Sequence, residues 1–365
     1  MKTPTNAPAV WYTEDGPESD VVLSSRVRFA RNLSGFVFPL TIKSDDAERV
    51  QSIVFDAFNH LDRPENYQMI RMSNIDNLGK RILFERGVID SDAGSEPWRG
   101  VIIRNDGVLS ATVNIEDHIR LSAFTPGLSV NACASLVSGI DESLQRNVQY
   151  SALADFGYLT SNLMNIGSGM KASVLVCLSA LCMNDLIERV IREFLSQGFI
   201  VRGYYGSERQ TSLGCLYQIS NSSGAAGDLS SQIIQMEQAA LKLVELERRS
   251  RQELKASSPT TLENSVFRAI VTAKYARFIS LNEALDLIQR IKLGLNLGLI
   301  SGIANKDLTA LMYRVQTAHI GFVILGESII IEEDIQTEEM RLDRLRAMVI
   351  QEVLKEADIR ERREK

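Results

Sequence analysis

Ser24-Ser25-Arg26-Val27-Arg28-Phe29-Ala30-Arg31-Asn32 is the stretch whose reading decides the fold of this chain. Drawn out as a strand, it sends Arg26 and Arg28 to one face and Val27 and Phe29 to the other, because side chains alternate with a period of two. One face is then apolar and packed against a core. The other carries two guanidinium groups, a natural clamp for phosphate oxygens. Taken alone, the pair reads equally as surface arginines in ordinary ion pairs.

Working outward, a short strand over Asp20 to Leu23 precedes this stretch. After it, Asp45 followed by Glu48 reads as a capping box opening a helix with Val50, Val54, Ala57 and Leu61 on one face. Gly100 to Ile103 and Val108 to Val113 are β-rich runs joined by Asn105-Asp106-Gly107, a hairpin signal. A helix follows near Asn131 to Arg146. Ser173 to Leu178 is a continuous apolar run beside a glycine-rich loop and reads as a buried central strand. A helix from Met183 to Gln197 stops at Gly198, and Phe199 to Tyr205 with Leu213 to Ile219 form a second hairpin. Asp228 opens a long amphipathic helix, and the charge run Glu245 to Lys255 reads as its solvated face. Ser257-Ser258-Pro259-Thr260 is a polar break. Beyond it the pattern is helical: Leu262 to Tyr275, Ser280 to Ile291 with Ser280 and Glu283 as a capping box, and Thr337 to Glu356. The fold class is α+β over residues 1–256, followed by an all-α domain over residues 261–365.

A chain of 365 residues with 45% hydrophobic and 24% charged residues can bury a full core. Its net charge of −6 argues against bulk binding of nucleic acid, which needs excess cations to replace counterions. A local basic pocket remains compatible with that charge. Met1 to Ser19 has no apolar segment of the signal-peptide kind. The longest apolar run, Ser173 to Met183, is too short for a membrane span. Cys133, Cys177, Cys182 and Cys215 show neither zinc spacing nor a disulfide framework, and Cys177 and Cys182 read as reduced core residues. A cytoplasmic protein without a membrane or nucleic-acid partner is the expectation.

Three further clusters carry chemistry. Asn114-Ile115-Glu116-Asp117-His118-Ile119-Arg120 crowds carboxylates, an imidazole and a guanidinium after a strand, and reads equally as a strand-end turn with a satisfied network. Gly167-Ser168-Gly169-Met170-Lys171 lacks Walker spacing and runs from loop to strand, so it is no P-loop, although exposed amides and a cation suit an anion. Val201-Arg202-Gly203-Tyr204-Tyr205-Gly206-Ser207-Glu208 runs a strand into a glycine turn.

In this order the motifs resemble the ATP:guanido phosphotransferases over nearly the whole chain. Trp11 with Gly16-Pro17-Glu18-Ser19-Asp20, the arginine stretch continued through Leu33, Gly157-Tyr158-Leu159-Thr160, Gln218-Ile219-Ser220-Asn221 and the tail Leu293-Gly294-Leu295-Asn296-Leu297-Gly298-Leu299-Ile300 are similar to the bacterial protein arginine kinases within that family. The resemblance implies a guanido-kinase catalytic domain with a mainly antiparallel sheet flanked by helices, and ATP with Mg²⁺ but no protein-only metal site. The implied nucleotide contacts are Ser24, Ser25, Arg26, Val27 and Arg28; Arg120; Lys171, Ala172, Ser173, Val174 and Leu175; and Arg202, Gly203, Tyr204, Tyr205, Gly206 and Ser207. Arg26, Arg28, Arg120 and Arg202 match family arginines that grip phosphates. Lys171 stands where a further arginine is usual, keeping the charge and losing the bidentate fork. Glu116 is the implied catalytic carboxylate, with Asp117 and Glu208 as the alternates.

The guanidino side departs from the family pattern. Asn-Glu-Glu-Asp-His has Ile115 in place of its first Glu, the substrate-side cysteine is Asn162, the second glutamate falls on Ser207, and a histidine on the nucleotide side falls on Gly87. Carboxylates orient a guanidinium and accept its proton, so these changes leave two readings: a phosphotransferase acting on protein arginine with an eroded site, or a pseudokinase serving as a nucleotide-binding scaffold. Leu342-Asp343-Arg344-Leu345-Arg346-Ala347 is similar to a phosphoarginine-binding regulatory element that has lost its leading arginine, leaving Asp343 and Arg346. The implied partners are protein substrates with exposed arginine, a small zinc-binding activator protein, an AAA+ unfoldase–protease and a second copy in a homodimer.

Overall fold

The computed structural model describes residues 10–91, 93–204, 213–225, 227–326 and 330–360. Its strands are β1 (Val22–Arg31), β2 (Tyr67–Arg71), β3 (Gly100–Arg104), β4 (Leu109–Val113), β5 (Ile119–Pro126), β6 (Ala152–Leu153), β7 (Gly157–Tyr158), β8 (Met170–Cys177), β9 (Phe199–Gly203), β10 (Leu216–Asn221), β11 (Ile300–Ser301) and β12 (Asp358–Ile359). The helices are α1 (Ser44–Asn59), α2 (Asn77–Glu85), α3 (Val130–Leu144), α4 (Ser179–Met183), α5 (Ile187–Ser196), α6 (Leu229–Ser257), α7 (Pro259–Tyr275), α8 (Leu281–Asn296), α9 (Asn305–Arg314), α10 (Thr317–Gly326) and α11 (Glu338–Val353).

Eight strands form one sheet in the order β2-β3-β4-β5-β1-β8-β10-β9, with every neighbour antiparallel. The opening stretch is its centre. β1 is one continuous strand that absorbs the arginine run, with Arg26 opposite Ser173 and Phe124, and Arg28 opposite Lys171 and Ser122. The expected alternation holds: Val27 and Phe29 join a core built with Ala172, Val174, Leu121 and Ala123. Helices α1, α3, α5 and α6 close that face through residues such as Val54, Val137, Phe194 and Met236. This burial supplies most of the stability, at about 1.5–3 kcal/mol for each large apolar side chain.

A second core forms where α7, α8, α9 and α11 pack together. It also takes in Leu23, Leu175, Cys177 and Leu216 from the sheet. The helical region thus covers one end of the sheet's other face and leaves the rest of that face to polar side chains.

Several local expectations need correction. Lys43, not Asp45, occupies the N-cap of α1, with no side-chain cap bond, so the Asp45–Glu48 pair is not a capping box. Asp228, Ser280 and Thr337 do cap their helices, each accepting from an amide in the first turn. The helix expected over Met183 to Gln197 starts only at Ile187, as α5; Met183 instead ends the short helix α4, and Asp185 between them adopts a φ of 56°. The charge run on α6 is not wholly solvated. Glu247 is fully buried, accepting the Ala180 and Leu181 amides at 3.0 and 3.1 Å and Arg251 at 3.0 Å. Burial raises its carboxyl despite those donors. The C-terminal region is not entirely helical, since β11 and β12 pair in a small sheet.

Candidate functional site

On the polar face of the sheet, alternation along adjacent strands gathers residues far apart in sequence. β1 contributes Ser24, Arg26 and Arg28; β5 contributes Arg120, Ser122 and Phe124; β8 contributes Lys171, Ser173 and Leu175; β9 contributes Arg202. Among the described residues, none of Arg26, Arg28, Lys171 and Arg202 forms an ion pair. The Nε atoms of Arg26 and Arg28 are buried without a hydrogen-bond partner. Arg26 reaches Ser122 Oγ at 3.3 Å and lies 4.7 Å over the Phe124 ring. Trp11 stacks beneath Phe124 at 4.7 Å, and Tyr313 from α9 meets Trp11 edge-on. The helical region therefore helps to floor this pocket.

Crowding of like charge shows in the acid–base behaviour. Burial and Arg120 push Arg26 down to about 10, and burial with Arg26 and Arg120 pushes Arg28 down to about 9. Burial, Arg28 and Arg202 push Lys171 down to about 8. A polyphosphate entering here would relieve repulsion and supply the missing acceptors at once.

Arg120 is different, because two carboxylates hold it: Asp90 at 2.5 Å and Glu116 at 3.2 Å. Burial would raise the Asp90 carboxyl, but Arg120, Arg26 and Arg28 hold it below its ordinary value. Glu116 keeps its second oxygen toward Asn162 Nδ2, at 3.4 Å. Its carboxylate stands at the border of the cationic field, about two-fifths exposed.

Asp117 and His118 take up anchoring positions instead. Asp117 is fully buried and accepts Asn32 Nδ2 at 2.7 Å and the Ser161 amide at 2.6 Å; burial raises it. His118 Nδ1 accepts the Leu33 amide at 3.0 Å, which leaves Nε2–H to donate to the Val37 carbonyl at 3.0 Å. Both ring nitrogens of a neutral imidazole are thus used, and burial pushes the ring down to about 4.

Not every expected contact reaches this face. The side chains of Val27, Ala172 and Val174 lie in the core, and Ser25 Oγ is committed to the Gly127 carbonyl and the Ser129 amide. Leu175 belongs to the second core. Gly203 ends β9, and Tyr204 lies half-buried beside Arg26 and Tyr313. Tyr205, Gly206, Ser207 and Glu208 lie outside the described residues. Gly87 does border the cluster: a Cβ there would sit 3.5 Å from Phe124 and 3.7 Å from both Arg26 Nη1 and the Tyr204 hydroxyl.

Among the C-terminal helices, Arg346 is almost fully buried, giving Nε to the Val315 carbonyl at 2.8 Å and Nη1 to the Ile279 carbonyl at 2.9 Å and to Asp343 at 2.5 Å. As packed, this pair knits helices together. Asp90, Phe124 and Ser122 escaped the sequence reading. The alternation Arg120-Leu121-Ser122-Ala123-Phe124 was the signal available for the last two.

Residues 49–250 match the family model "ATP:guanido phosphotransferase, C-terminal catalytic domain", and residues 259–365 match "Protein-arginine kinase McsB C-terminal domain". A protein-arginine kinase of Desulforamulus reducens is 37% identical over 306 residues, covering 83% of this chain and 85% of the relative. The protein-arginine kinase of Bacillus subtilis is 32% identical over 308 residues, covering 84% of this chain and 85% of its own. Among solved structures, lombricine kinase shares the fold with a TM-score of 0.56 at 20% identity, over 68% of this chain and 71% of that one. A duplicated taurocyamine kinase of Schistosoma mansoni gives a TM-score of 0.58 at 18% identity, over 70% of this chain and 39% of its own. The chain belongs to the ATP:guanido phosphotransferase family, among its protein-arginine kinases.

Proposed function

We propose that this chain transfers the γ-phosphoryl group of ATP to the guanidino group of arginine side chains in proteins. One observation carries the reading: the accessible carboxylate of Glu116 borders a field of Arg26, Arg28 and Lys171, none of which forms an ion pair among the described residues. Arg26, Arg28, Lys171 and Arg202 would hold the phosphates. Arg120, braced by Asp90 and Glu116, would mark where the transferred group meets its acceptor. Mg²⁺ would arrive with the nucleotide and neutralise charge between its phosphates. Glu116 would orient the guanidinium, cationic at neutral pH, and accept its proton as nitrogen attacks phosphorus. The names of the 37% and 32% identical relatives support protein arginine as the acceptor. The free thiols fit a reducing cytoplasm.

Asn162 favours a second reading. It contacts Glu116 from the family's cysteine position, and an amide offers neither a thiolate nor a charge there. On that reading the chain binds nucleotide and regulates without turnover. A phosphoarginine assay on a basic protein substrate, with calorimetry of ATP binding, separates the two. The kinase reading expects phosphoarginine, reduced about 100-fold or more by Glu116→Gln while ATP affinity stays within about twofold. ATP binding without any phosphoarginine would replace it with the scaffold reading. Turnover that survives Glu116→Gln would remove Glu116 from its role.

A further inference from the structure

The rim around Glu116 has a composition unlike the rest of the cleft. Residues 34–40 and 151–168 contain no lysine or arginine, and their one acidic residue is Asp155. Both segments are tied to the anchoring residues beside Glu116. His118 holds the first through the Val37 carbonyl, with Phe36 and Phe38 edge-on to its ring. Asp117 holds the second through the Ser161 amide, and Asn162 touches Glu116 itself. The small hairpin of β6 and β7 is fastened to the same segment by the pairing of Tyr158 with Gly167.

These anchored segments present apolar side chains to solvent: Leu40 is 92% exposed, Leu163 78%, Phe156 60%, and Val37, Leu153 and Met164 more than half. Such a concentration on segments anchored next to one carboxylate costs solvation, and none of the six side chains joins a core cluster of the described residues. A small cationic metabolite would need only the carboxylate. Leu163 and Met164 follow directly on Asn162, which touches Glu116, so a polypeptide whose arginine reaches Glu116 lays flanking residues on at least this part of the rim.

We infer that the rim is a docking surface for an extended polypeptide in which the target arginine is flanked by apolar residues. The inference rests on the reading of Glu116 as the guanidinium acceptor. Charge supports the same occupant: neither segment contributes a basic residue, and the cations beside them are paired, Arg120 with Asp90 and Glu116 and Arg49 with Asp46, whereas the phosphate half of the face is cationic. Apolar flanks of this kind are available in unfolded or locally opened chains, so the surface selects substrate by what surrounds arginine.

The test is fluorescence anisotropy of labelled short peptides on the full chain with Mg-ADP present. One peptide carries arginine between leucines, one carries it between serines, and a third keeps the leucines with glutamine in place of arginine. The leucine-flanked arginine peptide should bind on the order of tenfold tighter than the serine-flanked one. It should also bind tighter than the glutamine version. Leu163→Ser and Leu40→Ser should each erode the preference for leucine flanks. Both positions are exposed, and unchanged thermal unfolding would verify the fold. Leu195→Ser, on the exposed face of α5, should keep it. Equal binding of the two arginine peptides, or a preference untouched by both rim variants, overturns the inference. Self-association that Leu163→Ser and Leu40→Ser abolish, without peptide discrimination, would assign the rim to a second copy and also overturn it. Discrimination that persists without phosphoarginine formation would instead overturn the kinase reading and leave the docking surface standing.

Discussion

Arg28 and Arg31 lie on the same strand and on opposite faces, and the two differ in almost every contact. Arg31 meets Asp141 through Nε and Nη2, the latter at 2.8 Å, and gives Nη1 to the Ala30 and Ser168 carbonyls at 2.9 and 3.0 Å. Its guanidinium also lies 3.7 Å over the Tyr158 ring and 4.7 Å over Phe29. Arg28 has no ion pair among the described residues, a buried Nε without a partner, and like charges for neighbours. A guanidinium with all three nitrogens engaged holds the fold together. One that is half-buried, crowded by cations and without an ion pair among the described residues is held ready for an anion from outside.

The comparison breaks most visibly at Asp141. Asp141→Ala strands the Arg31 charge in the core and should lower unfolding stability by about 3–5 kcal/mol in a urea titration. A loss below about 1 kcal/mol would mean that Arg31 is not the structural member of the pair. Arg28→Ala should do the reverse. It should weaken nucleotide binding by about 2–3 kcal/mol by calorimetry, roughly 30- to 150-fold, while stability holds or rises as repulsion from Arg26 and Arg120 is relieved. Destabilisation matching that of Asp141→Ala would erase the distinction.

Proton linkage sharpens it further. Lys171 sits near 8 in the folded protein against 10.5 ordinarily, so between those values the unfolded chain holds more protons. Stability of the nucleotide-free protein should therefore rise with pH across that window. Nucleotide affinity should move the opposite way, falling as pH climbs through about 8, because a neutral Lys171 no longer attracts phosphate. Calorimetry at stepped pH checks this, and Lys171→Met should flatten it. The smallest effect belongs to Gly87, whose φ of 69° disfavours a side chain. Gly87→Ala should cost about 1 kcal/mol in thermal unfolding, with little change in affinity, since a methyl group fits at 3.5 Å from Phe124.

Much of this site was legible because a strand's period is invariant: once Arg26 and Arg28 were placed on a strand, Val27 had to face the core. The same rule fails where a run is taken whole, which is why Ser25, Ala172 and Val174 were counted with neighbours that face the other way. The charge run on α6 misled for a different reason. Glu247 is buried because α4 brings two unsatisfied amides against it, and nothing local in Glu245 to Lys255 announces that meeting. Glu116, Asp117 and His118 are adjacent in sequence, yet only the first borders the cleft. Their division depends on Asn32, Leu33, Val37 and Ser161, which arrive from two other segments.

By itself, then, the sequence determined the family, the antiparallel strands with their polar and apolar faces, and the helical character of most of the region after the break at Ser258. These rest on periodicity and on ordered motifs, which are properties of neighbouring residues. The tertiary structure decided which cations go unpaired among the described residues, that Trp11 and Tyr313 floor the pocket under Arg26, and that two exposed apolar segments are anchored beside Glu116. Those features are sums over segments far apart in the chain, and burial and charge repulsion take their values only when folding has brought the segments together.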